Sequence, residues 1–227
     1  MFVVTSLWKS TLPDAYVGIL ALRNVSNPVR HPELEQRKTE LENQLRSQFS
    51  GQDRAALASH PILQAYSNYY KRFKKTYHVQ LQLESIAWKG KSIPSMTALV
   101  KSMFMAEMKN LLLTAGHDLY TLQLPLTLDV SNGTEQYTLM RGEEQVLKSG
   151  DMMIGDKTGV ISSIIFGPDQ RTQITANTHN AVFTAYAPAG IGEHAVRQHL
   201  MDIQEYILLF SPLAQVEWLE VYSGDQK

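Results

Sequence analysis

Residues 94–118 read PSMTALVKSMFMAEMKNLLLTAGHD. A proline suits the first turn of a helix, where its missing N–H costs nothing. Leu99, Met103 and the run Leu111 to Leu113 follow on a helical period, so Pro94 to Thr114 reads as the longest buried helix of the chain. Ala115-Gly116-His117-Asp118 then reads as a handover. Beyond it the periodicity shortens, and turn dipeptides punctuate short apolar alternations. One domain is therefore expected, 1–227, helix-rich over 1–116 and strand-rich over 117–227.

Upstream of the handover, Phe2 to Thr5 and Ala15 to Leu22 are β-branched and aromatic enough for two early strands. Pro32 opens a helix that runs to about Phe49, with Glu33 and Glu35 where the helix dipole favours acids. Asp53 caps a short piece, Arg54 to Ala58. His60-Pro61 starts a helix that turns Leu63, Tyr66, Tyr70 and Phe73 inward, and another covers Val79 to Trp88. Downstream, Asn132-Gly133, Arg141-Gly142, Ser149-Gly150, Asp156 to Gly159 and Gly167-Pro168 mark hairpins. Val182 to Tyr186 reads as a strand, Gly192 to Phe210 as an amphipathic helix and Gln215 to Tyr222 as a closing strand.

The composition excludes several kinds of chemistry. The 227 residues contain no cysteine, which removes disulfides, thiolate metal sites and thiol nucleophiles. No basic stretch followed by an apolar run opens the chain, and no segment is long enough to span a bilayer, so the expectation is a soluble cytoplasmic protein. Net charge is −1, but it is unevenly spread. Between Asn68 and Asn110, Lys71, Arg72, Lys74, Lys75, Lys89, Lys91, Lys101 and Lys109 stand against Glu84 and Glu107, a local balance of +6. Such a region can hold a polyanion; its plainer reading is the solvated face of helices.

Motifs narrow the field further. No two of the seven histidines are spaced i, i+4, so no metal is expected. No P-loop precedes a helix, and Gly155 to Gly159 reads as a hairpin turn. Ser6-Leu7-Trp8-Lys9, Tyr66-Ser67-Asn68 and Lys157-Thr158-Gly159 match the order of elements in penicillin-binding serine enzymes. That chemistry needs the serine at the start of a buried helix, and Ser6 reads as part of an extended stretch. Two polar constellations remain: His117-Asp118, and the hydroxyl-rich run from Phe166 to His179. Turn and cap roles account for either. As a site, hydroxyls, an amide and a histidine can bind a ribose and orient a water, without forming a nucleophilic triad.

The order of pieces resembles a known family. Ala65-Tyr66 to Lys75 precedes Lys91-Ser92-Ile93-Pro94-Ser95-Met96-Thr97-Ala98-Leu99-Val100. Then follow His117-Asp118-Leu119, Arg141-Gly142-Glu143-Glu144, Gly155-Asp156, Phe166-Gly167-Pro168-Asp169 and Thr172 to Thr178. Together, over roughly Leu7 to Tyr222, these are similar to a freestanding form of the tRNA-binding B3/B4 domain of the bacterial phenylalanyl-tRNA synthetase beta chain. The resemblance implies an α+β fold, with a helical N-terminal half packed on a mixed, mostly antiparallel sheet, and an editing domain rather than a full synthetase. The implied activity is hydrolysis of the ester of a mischarged tRNA by a positioned water, with no cofactor, membrane or DNA partner. It implies a pocket between the long helix and the strand half. Its walls would be drawn from Ser95, Thr97, Lys101, His117, Asp118, Gly142, Glu143, Asp156, Phe166, Asp169, Arg171 and Thr172. His117, Thr172 and Thr175 are the candidates for chemistry, and Lys71, Arg72, Lys74, Lys75, Lys89 and Lys91 for contacts to tRNA. Two positions depart from the family pattern: Lys101, Met103 and Met105 follow Val100 where an acid and small polar residues are usual, and Thr184 stands where the late strand carries an acid. A non-catalytic module that binds tRNA or an amino acid on the same fold is the alternative.

Overall fold

The central strand of the larger antiparallel sheet, β10 (Ala181–Ala187), is buried at all seven positions. A strand covered on both faces and paired on both edges needs no alternation of polar residues, and AVFTAYA has none. In the computed structural model, which describes residues 2–224, β10 pairs with β2 (Tyr16–Arg23) on one side and β3 (Leu113–Asp118) on the other. β11 (Gln215–Ser223) adds to the far edge of β2, giving the order β11-β2-β10-β3.

Around this sheet the chain runs β1 (Phe2–Val4), α1 (Ser6–Thr11), β2, α2 (Pro32–Gln48), α3 (Arg54–Ala58), α4 (Pro61–Lys71), α5 (His78–Ala87), α6 (Ala98–Asn110) and β3. Then come β4 (Leu126–Val130), β5 (Gln136–Thr138), β6 (Glu144–Val146), β7 (Met152–Asp156), β8 (Gly159–Ser163), β9 (Gly167–Pro168), β10, α7 (Glu193–Phe210) and β11. A second sheet has the order β1-β4-β7-β8-β9, and β5 with β6 forms a separate ladder. β1 runs parallel to β4; every other pairing is antiparallel. The fold is α+β with mixed, mostly antiparallel pairing, its strands divided between two principal sheets.

Helix packing fixes the edge where a site can form. α7 lies against the larger sheet so closely that a Cβ on Gly18 would come 2.5 Å from Val196 Cγ1. α6 approaches β3 in the same way: a Cβ on Gly116 would meet Ile174 Cδ1 at 2.8 Å and Met103 Sδ at 3.2 Å. The buried side chains form one core that runs from Trp8 to Val221, and a small satellite lies under the β5–β6 ladder.

Two local expectations fail for identifiable reasons. The helix read over Pro94 to Thr114 is shorter. It starts at Ala98 and ends at Asn110, and Leu111 takes left-handed dihedrals (φ 62°, ψ 18°). Glycine usually fills such a C-terminal position; here the Leu111 N–H donates to the Glu107 carbonyl and its own carbonyl accepts from Tyr77 Oη. The buried triplet Leu111 to Leu113 serves the start of a buried strand as well as the end of a buried helix, and periodicity cannot separate the two. Ser6, read as extended, opens α1: Thr5 caps it by accepting from the Trp8 N–H at 3.1 Å, which sets Lys9 one turn on. Ser6 is exposed, however, and the Tyr66 hydroxyl is spent in the core on the Tyr186 carbonyl, so the serine-enzyme elements remain apart in role.

Candidate functional site

β3 is an edge strand, and an edge presents unpaired backbone groups. The structure covers this edge with α6 on one side and the β8–β9 turn on the other, and leaves a cavity of about 320 Å³ between them. Met103 and Glu107 reach it from α6, one helical turn apart and so on one face. Leu113, Thr114 and Ala115 form its β3 wall, Ser163 and Ile165 to Pro168 its opposite wall, and Tyr186 and His78 close it. The lining is mostly apolar with a few convergent polar groups, the usual character of a small-molecule pocket.

Glu107 is the charged group most perturbed there. It is 4% exposed, and its Oε1 accepts the Thr114 N–H at 2.8 Å. Burial pushes the carboxyl up to about 8, and the Thr114 bond only partly opposes this. A carboxyl poised near neutrality in a cavity can exchange a proton with a ligand or a water. The hydroxyl of Tyr186 is tied to Ser162 Oγ at 2.5 Å, and Ser163 Oγ accepts from the Phe166 N–H at 3.1 Å. The walls are thus held by their own bonds.

Of the pocket residues expected from the sequence, Phe166 lines this cavity. Lys101 lies two residues before Met103, on the opposite side of α6. It is 2% exposed and ion-paired with Glu35 of α2. Thr97 is the N-cap of α6, and Ser95 is exposed just before it. Gly142 and Glu143 sit in the exposed β5–β6 turn, where Glu143 pairs with Arg141 at 2.7 Å.

The remaining candidates gather at the other end of β3. His117 is wholly buried; its Nδ1 lies 2.7 Å from Thr172 Oγ1, and Thr172 donates to Asp169. Thr172 has one hydroxyl proton and gives it to a carboxylate, which only accepts. His117 Nδ1 therefore carries the proton, and Nε2 is left buried without a donor. Burial, reinforced by Arg171, drops the imidazole to about 3, so His117 stays neutral. Arg171 reaches Asp156 at 2.9 Å and Asp169 at 3.6 Å. Burial pushes Asp156 up, but the N–H groups of Gln123 and Thr158 and the Arg171 guanidinium outweigh it and hold the carboxyl below its usual range. Asp118 accepts from Thr178 at 2.7 Å, and Thr175 is exposed in the adjoining turn. This cluster staples the loop 166–179 onto β3; none of its members lines the cavity.

One of the expected basic residues stands beside the cavity lining. Lys75 Nζ lies 5.6 Å from the centroid of the Phe166 ring. Arg72 stacks over Tyr69 and Phe73, and Lys71, Lys74, Lys89 and Lys91 are exposed. None of these six takes part in an ion pair among the described residues. Also among them, no group of histidines and acids is arranged to hold a metal, and no helix is long and apolar enough to cross a membrane.

No known protein family matches the sequence, and neither does any curated protein. Among solved structures, an N-terminal fragment of the phenylalanyl-tRNA synthetase beta-subunit from Pyrococcus horikoshii is similar over 97% of this chain, with a TM-score of 0.48 and 11% identity. The chain spans about half of that fragment, 53% of its length.

Proposed function

We propose that the cavity beside β3 receives the aminoacyl end of a mischarged tRNA and that its ester is hydrolysed there. The observation that carries this reading is Glu107: a buried carboxyl, raised to about 8, in the wall of a cavity that has Lys75 beside its Phe166 wall. An aminoacyl ester is already activated, so a held water and a group able to take its proton are sufficient. Glu107 is that group, and its protonated form also offers a donor to the ester carbonyl. The unpaired cations from Lys71 to Lys75, with Lys89 and Lys91, serve the phosphates of the acceptor end. The order of motifs that resembles the synthetase editing domain supports the same reading, under which the protein works in the cytoplasm with tRNA as its partner.

A second reading is favoured by the position of His117, which lies outside the cavity. The same fold then binds charged tRNA or an amino acid without turnover. A panel of misacylated tRNAs separates the two. Editing predicts turnover of at least one ester, with a rate lowered about 100-fold or more in Glu107→Gln, the usual worth of a general base. Salt-dependent binding without turnover selects the binding module. Absence of both binding and turnover removes tRNA from the account.

A further inference from the structure

A second compartment, of about 330 Å³, opens between α5 and α6 and is lined by Leu81, Gln82, Ile86, Lys91 and Phe104 among others. It shares one wall with the cavity: His78 belongs to both. On α6, Met103 faces the cavity and its neighbour Phe104 faces the groove. We infer that this groove holds the terminal adenine nucleotide of the same tRNA, an inference that rests on the reading of the cavity given above.

Three features select such an occupant. Phe104 is half-buried and lines the groove together with aliphatic and polar side chains, and aromatic faces stack on bases. Gln82 Oε1 is buried with no hydrogen-bond donor. An unmet amide oxygen is costly, and rotation of the amide onto a base edge meets that need. Glutamine pairs in bidentate fashion with the N6 amino group and N7 of adenine. Lys91, at the groove mouth, and Lys89 beside it are exposed and without ion pairs among the described residues, so the occupant is anionic. Adjacency supplies the link: an amino acid esterified to a ribose needs one compartment for the side chain and an adjoining one for the nucleoside, and His78 divides the two.

The probe is 5′-AMP, titrated calorimetrically at low salt, with 5′-CMP as the comparison. The expected result is tighter binding of AMP than of CMP. Phe104→Ala weakens AMP about tenfold, the loss of one stacked base. Gln82→Leu, on a partly exposed helix face, removes the preference for AMP over CMP. Lys91→Glu weakens both nucleotides and flattens their salt dependence. Failure of AMP to bind, or binding indifferent to both Phe104→Ala and Gln82→Leu, overturns the inference. Glu107→Gln distinguishes it from the cavity reading, because AMP affinity is then unchanged while turnover is lost. AMP binding that maps to the groove in a protein inert toward every charged tRNA upholds the nucleotide site and sinks the editing reading. Turnover with unchanged KM in Phe104→Ala does the reverse.

Discussion

At the scale of single residues, Glu107 and His117 show how burial assigns roles that residue type alone does not. His117 looks like the catalytic group by chemistry, but its proton is committed to Thr172 and its ring stays neutral at any physiological pH. Glu107 looks like one more charge on a helix, yet it holds the titratable position beside empty volume. Its raised pKa sets a sign. Unfolded, the carboxyl releases its proton near 4.5; folded, it keeps it until about 8. Within that window the native state binds more protons, so stability falls as pH rises and levels off above about 8. Glu107→Gln lacks this cost. The melting temperature of the variant is expected to gain on the wild type progressively from pH 5 to pH 8, by the equivalent of roughly 3–4 kcal/mol. Parallel melting curves at all pH values would show that Glu107 is ionised in the native state. A lone acid among the apolar residues of 98–110 carries little signal in sequence; its i, i+4 relation to Met103 is the only hint, and a solvated face explains it equally well.

Elements were legible where a boundary residue has a single physical meaning. Pro32, Asp53 and Pro61 start helices as read, and α3 matches its expected span. Boundaries that depend on tertiary contacts were not legible. α6 stops at Asn110 because Leu111 is held in a left-handed turn by Tyr77, and no residue near position 111 announces that. Ser6 enters a helix because Thr5 caps it, a signal hidden by the short length of α1. The seat of α7 on the larger sheet makes a prediction at this scale. Gly18→Ala would place a methyl 2.5 Å from Val196 Cγ1, and a branched side chain close to the backbone yields little. The substitution is expected to cost about 1–3 kcal/mol in chemical unfolding. Val196→Ala in the same chain is expected to restore much of that loss, as a non-additive pair. Additive losses would show that α7 is not seated by this contact.

Over the whole molecule, four of the described buried groups contribute strongly to the response to pH. His117 and His199 are held neutral by burial, with pKa values dropped from 6.5 to about 3 and about 4. Glu107 and Asp151 are pushed the other way, from 4.5 to about 8 and from 3.8 to about 7, mainly by burial. Below pH 6.5 the unfolded chain takes up protons that the histidines refuse when folded; above about pH 4 it gives up protons that the carboxyls retain. The two effects oppose each other between about pH 4.5 and 6.5 and act alone outside it. Thermal stability is expected to be flat across that interval and to fall toward both pH 3 and pH 8. A monotonic rise from pH 5 to pH 8 would contradict the burial of the two carboxyls. The arrangement of compartments at the β3 edge was not legible from the sequence, because it brings together side chains from α5, α6, β3, the β8–β9 turn and β10. The central claim, that the cavity receives the amino acid of a charged tRNA, is tested most directly by calorimetry. A minihelix carrying a hydrolysis-resistant aminoacyl amide is titrated into the wild type and into Met103→Trp, which fills the cavity. The account predicts that the wild type binds the charged minihelix about tenfold or more tightly than the uncharged one, and that Met103→Trp binds both alike. Equal preference for the charged form in the two proteins would contradict it.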